Sequence, residues 1–295
     1  MTLSAATRVV GVMGDPVAHS LSPLLHNTAF AALGLDWVSV GFAVPDGQSA
    51  GAVAGLRALG IAGLSVTMPH KAAVAGLVDR LTPVAATLGA VNCLFWEPAD
   101  AGGGGADHDG SRPGRLVGDS TDGAGFVAAV GRQAGFDPAG RRCLVVGAGG
   151  AARAVILALA DAGATEVVVV NRSVDRATAA AAVAGDRGRV GTAADAAGAD
   201  LVVDATPTGM AGTGTAAAEP LVAADRLGAG QVVADLVYHP PMTPWLAAAA
   251  ERGATVVGGL GMLVHQAAAQ LERWTGQPAP VAAMWEAASG RRDAG

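Results

Sequence analysis

Lysine occurs once in this chain, at Lys71, while arginine supplies the other 18 of its 19 basic residues. A base-composition bias in the genome would produce such an excess of arginine and leave one surface lysine by chance; the alternative is that Lys71 does something an amine can do and a guanidinium cannot. An amine in a tuned environment exchanges its proton near neutral pH, whereas a guanidinium stays charged. Lys71 closes the segment SVTMPHK (Ser65–Lys71). Three further segments carry polar groups in or beside turns: HSLSP (His19–Pro23), AVNCL (Ala90–Leu94) and GDSTDG (Gly118–Gly123). Ligands of α/β sheets bind at the carboxyl ends of strands, so all four segments are candidates for a binding site. Each also has a plain structural reading: Ser22 as a helix N-cap, Asp122–Gly123 as a turn, Asn92 as a partner for backbone groups. His70 adjoins Lys71, where it either perturbs the amine or sits as a solvated loop histidine.

A second kind of chemistry is written in RRCLVVGAGGAARAV. It holds the pattern G-x-G-x-x-A at Gly147, Gly149 and Ala152, directly after an apolar run and at the start of a helical one. Gly147 permits the tight turn, Gly149 lets backbone approach a pyrophosphate, and the small Ala152 allows helix and strand to pack closely. The helix start, with Ala148, Gly150 and Ala151, then presents N–H groups to phosphates. The next strand, VVVV, runs into Asn171–Arg172–Ser173, with Arg176 following. An NAD site usually has an acid at that strand tip for the ribose 2′-hydroxyl. Here two guanidiniums stand where a 2′-phosphate can be paired, so NADP is the expected cofactor. The plain alternative is that Arg172 and Arg176 form a solvated helix face.

These segments need elements to hold them. Arg8–Val12 reads as a strand ending in the turn Gly14–Asp15–Pro16. Pro23–Leu33 reads as a helix with Ser22 at the N-cap, Pro23 at N1 and Gly34 closing it. Trp37–Phe42 and Ile61–Val66 read as strands and Gln48–Leu59 as a helix. This alternation predicts a mostly parallel sheet. Glycine-rich Pro98–Arg115 separates the strand-like CLFWE and RLVGDST, and is expected to be a long hairpin connection or, alternatively, a domain boundary. Beyond Gly123 the pattern becomes a βαβ series. Its strands are Arg142–Val146, Glu166–Val170, Leu201–Asp204, Gln231–Asp235 and Ala254–Val257. Its helices are Ala151–Ala162, Arg176–Val183 and Thr243–Glu251. Met262–Trp274 and Val281–Ala288 read as closing helices.

With 295 residues, 51% hydrophobic and 15% charged, the chain is long and apolar enough for two folded domains. A net charge of −6 gives no reason to expect nucleic acid or an anionic membrane as partner. No apolar run approaches the ~20 residues of a membrane span. The start, MTLSAATRVVGVMGDP, lacks the basic opening and long apolar core of a signal peptide, so a cytoplasmic protein is expected. Cys93 and Cys143 lie in apolar contexts and read as buried free thiols. The six histidines show no metal spacing, and no metal is expected.

Together with GAGGAA and the late GLGMLVHQAA, the four polar segments closely resemble the shikimate dehydrogenase family, in the right order from Gly11 to about Trp274. The resemblance implies an α/β fold. An N-terminal α/β substrate domain (1–122, with C-terminal helices 260–295 packing back onto it) would be joined to a Rossmann-type doubly wound NADP-binding domain (123–259), with a cleft between them. It implies reversible reduction of 3-dehydroshikimate to shikimate with NADP, a step of chorismate and aromatic amino-acid biosynthesis. The catalytic pair matches Lys71 and Asp122. Ser20 and Ser22 match serines that hold the substrate carboxylate. Thr67, Asn92 and Gln266 match residues bonding the ring hydroxyls, and Tyr238 a tyrosine near the substrate. Asn171, Arg172, Ser173 and Arg176 match the adenosine-phosphate clamp, Thr206 a segment passing the cofactor, and Gly259 a position by the nicotinamide.

Departures are Ser65 and Ser120, where asparagine is commoner, and Gly258, where aspartate is frequent. Ser65 leaves open a different preference among cyclic polyols. Quinate or aminoshikimate dehydrogenase of the same family, and an NADP-binding sensor without turnover, are the alternatives. The partner expected is the small-molecule substrate, with the protein a monomer or homodimer.

The cofactor reading has a direct test. Initial rates should give a higher kcat/KM with NADP than with NAD, and Arg172→Asp should remove most of that preference. Equal efficiency with both cofactors in the unmodified protein contradicts it.

Overall fold

The computed structural model describes residues 3–98, 114–210 and 219–290. The elements of the N-terminal part are, in chain order, β1 (Arg8–Gly14), α1 (Ser22–Ala32), β2 (Trp37–Ala43), α2 (Ser49–Ala58), β3 (Gly63–Val66), α3 (Lys71–Ala75), β4 (Arg80–Leu81), α4 (Pro83–Leu88), β5 (Cys93–Glu97) and β6 (Arg115–Asp119). There follow α5 (Asp122–Ala134), β7 (Arg142–Val146), α6 (Gly150–Asp161), β8 (Glu166–Val170), α7 (Val174–Ala181) and β9 (Gly188–Val190). The last elements are β10 (Leu201–Asp204), β11 (Val232–Asp235), α8 (Pro244–Glu251), β12 (Thr255–Val257), α9 (Leu260–Thr275) and α10 (Val281–Gly290). The chain divides into two compact units, Met1–Thr121 with Ala267–Gly295, and Asp122–Gln266.

In the first unit the described strands form one sheet in the order β2-β1-β3-β5-β6-β4. β1 pairs in parallel with both β2 and β3, while β3–β5 and β5–β6 are antiparallel. The sheet is therefore mixed where the alternation predicted a mostly parallel one. The reason is the hairpin: CLFWE and RLVGDST pair antiparallel, from Cys93 opposite Asp119 to Glu97 opposite Arg115. That pairing makes Pro98–Arg115 a connection within one sheet rather than a boundary; residues 99–113 of it, His108 among them, lie outside the described residues. Helix α1 starts one residue earlier than predicted. Leu21 occupies the N-cap position, no side chain caps the helix, and Ser22 is its first residue rather than its cap. Gly34, at φ +66°, ends it as expected.

The second unit is a fully parallel sheet in the order β12-β11-β10-β7-β8-β9. Its central strands read RCLVV, EVVVV, LVVD and VVAD and are buried almost end to end. Unbroken apolar runs are what a parallel sheet covered on both faces requires. Two apolar clusters flank it. One joins Val145, Val155, Ile156, Leu159 and Val169; the other joins Leu144, Val146, Val202, Trp245 and Leu246. Helix α8 has the expected start, with the Thr243 hydroxyl accepting from the Leu246 N–H at 3.3 Å and Pro244 in the first turn.

One helix of this unit escapes the periodicity. α5, DGAGFVAAVGRQA, begins at Asp122 where the sequence suggested only a turn. Its glycines have different duties. A Cβ at Gly125 would stand 2.7 Å from the backbone nitrogen of Gln266 in α9, whereas one at Gly131 would meet nothing closer than the Phe136 carbonyl at 3.7 Å. The same substitution should therefore act in opposite directions. Ala for Gly in a helix gains about 1 kcal/mol of propensity, and overpacking against an unyielding backbone costs about 1–3 kcal/mol. Gly131→Ala should raise Tm and Gly125→Ala should lower it, by roughly 2–4 °C per kcal/mol. Equal shifts in thermal melts of the two variants contradict the close helix contact.

Candidate active site

Ligand sites of open α/β sheets form where strand order reverses, because loops leaving neighbouring strands in opposite directions open a crevice. In the first unit the chain leaves β1 toward β2 on one side and reaches β3 on the other, so the reversal lies between β1 and β3. The loop after β1 carries Ser20 and leads to Ser22 at the start of α1; the loop after β3 carries Thr67 and leads to Lys71, the first residue of α3. Backbone bonds lace the two loops together. The Thr67 N–H donates to the Met13 carbonyl at 2.9 Å, and the Asp15 N–H to the Met68 carbonyl at 3.0 Å. Gly14 has no room for a side chain, since a Cβ there would run into the Thr67 methyl. Ser20, Thr67 and Lys71 are half-buried and Ser22 is buried.

Asn92 enters from the other side of β3. It is 2% exposed and its amide is committed to Thr121: Oδ1 accepts from the Thr121 N–H at 2.8 Å, and Nδ2 donates to the Thr121 hydroxyl at 3.0 Å. Its carbonyl accepts from Val66 N–H at 2.8 Å, while the Lys71 carbonyl accepts from Val91 N–H at 2.8 Å. The lysine turn and the asparagine turn are thus one hydrogen-bonded assembly. Sequence reasoning missed Thr121 and Asp119, the latter buried and accepting from Thr82 at 2.6 Å and Arg273 at 3.0 Å.

His70 is the clearest correction. It is neither solvated nor a mere neighbour of the lysine: it is 1% exposed, and both ring nitrogens have partners in the protein. Cys93 and Cys143 are buried free thiols, as expected. Burial pushes both thiols up, Cys143 to about 12, so neither is a nucleophile at neutral pH. Burial also pushes His26 down to about 3, which leaves it a neutral ring stacked edge-on against Trp274 at 4.7 Å.

In the second unit the reversal lies between β7 and β10. The turn Gly147–Gly149 follows β7, and Ala205–Thr206 follows β10. Gly147 sits at φ +114°, where a side chain is strained whatever the space, and its Cβ would also press on the Ala205 carbonyl at 3.2 Å. Gly149 and Gly150 differ: a Cβ at either would meet nothing within 4 Å. They line open space at the N-terminus of α6, which has no acid in its first turn. This is a cradle for a pyrophosphate, and it fits a dinucleotide. Buried Ala152 then packs α6 on the sheet.

At the tip of β8, Asn171 donates to the Ser173 carbonyl at 3.0 Å, and the Ser173 hydroxyl accepts from the Arg176 N–H at 3.4 Å, capping α7. Arg172 and Arg176 are exposed, and no ion pair among the described residues engages either. Thr206, beyond Asp204, shares a hydroxyl bond with Thr208 at 2.9 Å. Gly259 is buried so tightly that a Cβ would overlap the Leu236 carbonyl. Asp122 and Gln266 stand at the two ends of this unit's chain, and both are buried. Gln266 Nε2 donates to the Leu263 carbonyl at 2.9 Å.

The loop after β11 carries Tyr238. Burial pushes its phenol above the usual tyrosine range, so it remains an O–H donor. Asp235, at the end of β11, ties both ends of that loop. One oxygen accepts from the Val237 N–H at 2.9 Å and the other from the Thr243 hydroxyl at 2.7 Å. Asp204 stands beside it in register on β10. Burial, with a smaller addition from Asp204, pushes Asp235 up to about 6.

A parallel doubly wound sheet with a glycine cradle at its reversal defines a dinucleotide-dependent enzyme of the two-unit α/β type. Family models agree in more detail. That for the shikimate dehydrogenase substrate binding domain matches residues 12–94, that for shikimate / quinate 5-dehydrogenase residues 131–231, and that for the shikimate 5′-dehydrogenase C-terminal domain residues 259–288. The chain is 45% identical over 299 residues to the shikimate dehydrogenase (NADP(+)) of Methanopyrus kandleri, with 97% of each chain covered. It is 44% identical over 292 residues to that of Moorella thermoacetica, covering 96% of this chain and 92% of the relative. Its structure is similar to that of shikimate 5-dehydrogenase from Thermus thermophilus in complex with NADP(H) and shikimate, at a TM-score of 0.83 and 35% identity over 96% of this chain and 99% of that one. The chain belongs to the shikimate dehydrogenase family.

The raised Asp235 carries a stability prediction with a definite sign. Its folded pKa, about 6, lies above its ordinary 3.8, so the folded state holds the proton more tightly than the unfolded state. The contribution is most favourable below pH ~4, falls as pH rises toward ~6, and stays low above. Asp235→Asn should gain stability relative to the unmodified protein across that window, on the order of 3 kcal/mol at most. Urea unfolding at pH 4 and pH 7 checks it; a gap that does not change with pH contradicts a buried, proton-holding Asp235.

Proposed function

We propose that this chain is an NADP-dependent shikimate dehydrogenase of the cytoplasm, reversibly reducing 3-dehydroshikimate to shikimate in chorismate biosynthesis. One observation carries the reading. The single lysine stands at the strand-order reversal of the first sheet, one strand from the Ser20–Ser22 turn, in a chain whose second sheet holds the glycine cradle at its own reversal. The molecule acted on in this reading is small and polar, and among the described residues no helix is long and apolar enough to cross a membrane. We take the working form to be a monomer or homodimer.

The division of labour follows from what each side chain can do. NADP, when bound, supplies the two-electron hydride chemistry at the substrate carbon. Lys71 takes the proton from the substrate hydroxyl in the oxidation direction and returns it in reduction, with Asp122 as its partner carboxylate. Ser20 and Ser22 donate to the substrate carboxylate without neutralising the site; the Ser20 hydroxyl accepts from the Ser22 N–H at 3.3 Å, which holds the two serines in one turn. Thr67, Asn92 and Gln266 bond ring hydroxyls, and Tyr238 stands near the substrate with a phenol that keeps its proton. Gly147 to Ala152 cradle the pyrophosphate, and Asn171, Arg172, Ser173 and Arg176 clamp the adenosine phosphate. Thr206 passes the cofactor, and Gly259 lies by the nicotinamide. In this reading residues 1–122 with 260–295 bind substrate and 123–259 bind the cofactor.

Lys71 provides the test. If its amine relays the proton, Lys71→Ala should lower kcat by roughly 10²–10⁴ while NADP still binds. Lys71→Arg keeps the charge but not the proton exchange and should fail nearly as badly. If arginine restores most of kcat, Lys71 is an electrostatic anchor and the acid–base role belongs to another group or to water.

A further inference from the structure

We propose that His70 is a positioning residue for the reaction: its buried ring, bridged between two points of a neighbouring segment, fixes the backbone from which Lys71 reaches the substrate. The inference rests on the reading of Lys71 as the proton relay.

The ring joins residues far apart in the chain. Nε2 lies 2.8 Å from the Val44 carbonyl, and Nδ1 lies 2.9 Å from the Ser49 hydroxyl. A carbonyl can only accept, so Nε2 donates to it, and Nδ1 shares a hydrogen bond with the Ser49 hydroxyl. The ring is 1% exposed, so neither bond is shared with solvent. Val44 follows β2 and Ser49 begins α2, and the Val44 N–H donates to the Gly14 carbonyl at 3.1 Å. The anchor is therefore itself tied to the end of β1.

On the other side, His70 is the N-cap of the short α3, whose first residue is Lys71. The His70 N–H donates to the Thr67 carbonyl at 3.0 Å, and the His70 carbonyl accepts from the Val74 N–H at 3.0 Å. Five residues of helix do little to hold themselves in place. Within the turn Thr67–Lys71 the Met68 side chain is 74% exposed, so its packing contributes little to holding the turn. The imidazole adds a buried side-chain anchor to the backbone bonds that Thr67, Met68 and Lys71 make with neighbouring segments. A lysine has four methylenes between backbone and amine, and a misplacement of ~1 Å near the chemistry can cost ~10²-fold in rate.

The experiment compares His70→Phe, His70→Gln and Ser49→Ala, each in the unmodified chain and with Lys71→Ala, using initial rates of NADP reduction with shikimate and separate titration of NADP binding. His70→Phe fills the volume without either bond and should lower kcat by roughly 10–100-fold with NADP affinity unchanged. His70→Gln can still donate to Val44 and should recover most of that loss. Ser49→Ala leaves the ring in place and removes one bond, so it should cost severalfold even if His70→Phe fails to fold. Against Lys71→Ala, all three losses should vanish, because the group being positioned is gone. Losses of the same size in both backgrounds make His70 a stability residue only, and overturn the proposal. Near-normal kcat in both His70→Phe and Ser49→Ala also overturns it. Near-normal kcat in Lys71→Ala alone is a different failure: it removes the relay reading itself.

Discussion

Asn92 is the constraint on which most of the first unit hangs. Its N–H donates to the Asp119 carbonyl at 2.9 Å, and its own carbonyl accepts from Val66 N–H at 2.8 Å and from Gln270 Nε2 at 3.0 Å. Its side chain meanwhile holds the N–H and the hydroxyl of Thr121. One buried residue thus joins the end of β3, the exit of β6 and the second half of α9. Leaving one such buried group unpaired costs about 1–3 kcal/mol, and an apolar side chain at this position would take the amide from both the N–H and the hydroxyl of Thr121.

The same device recurs wherever a motif residue has to be placed. An apolar strand ends, and the residue at or just past its end is a buried polar group that turns back on the loop. Asp235 closes the Tyr238 loop through Val237 and Thr243; Asp204 receives the Thr206 N–H at 2.8 Å. His70 does for the lysine turn what Asp235 does for the tyrosine loop. Lys71, Tyr238 and the glycine cradle are all on loops or at their ends, and for Lys71 and Tyr238 a buried polar neighbour ties the loop down. The arginines at the tip of β8 differ. Arg172 and Arg176 are exposed, and the Asn171–Ser173 turn beneath them is held by hydrogen bonds.

Much of this could be read from the residues. The buried strands of the second unit declared themselves because a parallel sheet tolerates nothing polar in its middle: LVVD was bounded correctly, and VVVV led to the right tip. The glycine cradle was legible because strand, turn and helix follow one another without a gap. Local signals failed where distant partners decide. His70 looked solvated because its partners lie 21 and 26 residues away, and Thr121 went unnoticed because Asn92 lies 29 residues back. Helix α5 was hidden by Gly123, Gly125 and Gly131. Glycine disfavours a helix, yet Gly123 and Gly125 are needed for close contact with α6 and α9. Ser22 was misplaced by one residue because Ser-Pro is a strong N-cap signal, and the chain starts its helix without using it.

One departure from the family resemblance is buried in the first sheet. Ser65, where many members of the family have asparagine, is 4% exposed in β3, two residues before Thr67. The central claim, that these buried anchors hold a site for shikimate rather than for a relative of it, is tested by one measurement. The kcat/KM for NADP reduction should be determined on the full chain with shikimate and with quinate under identical conditions. The account predicts turnover with both Lys71 and Asp122 in place, at least tenfold more efficient with shikimate. Efficiency with quinate equal to or above that with shikimate would contradict it, as would the absence of turnover with either.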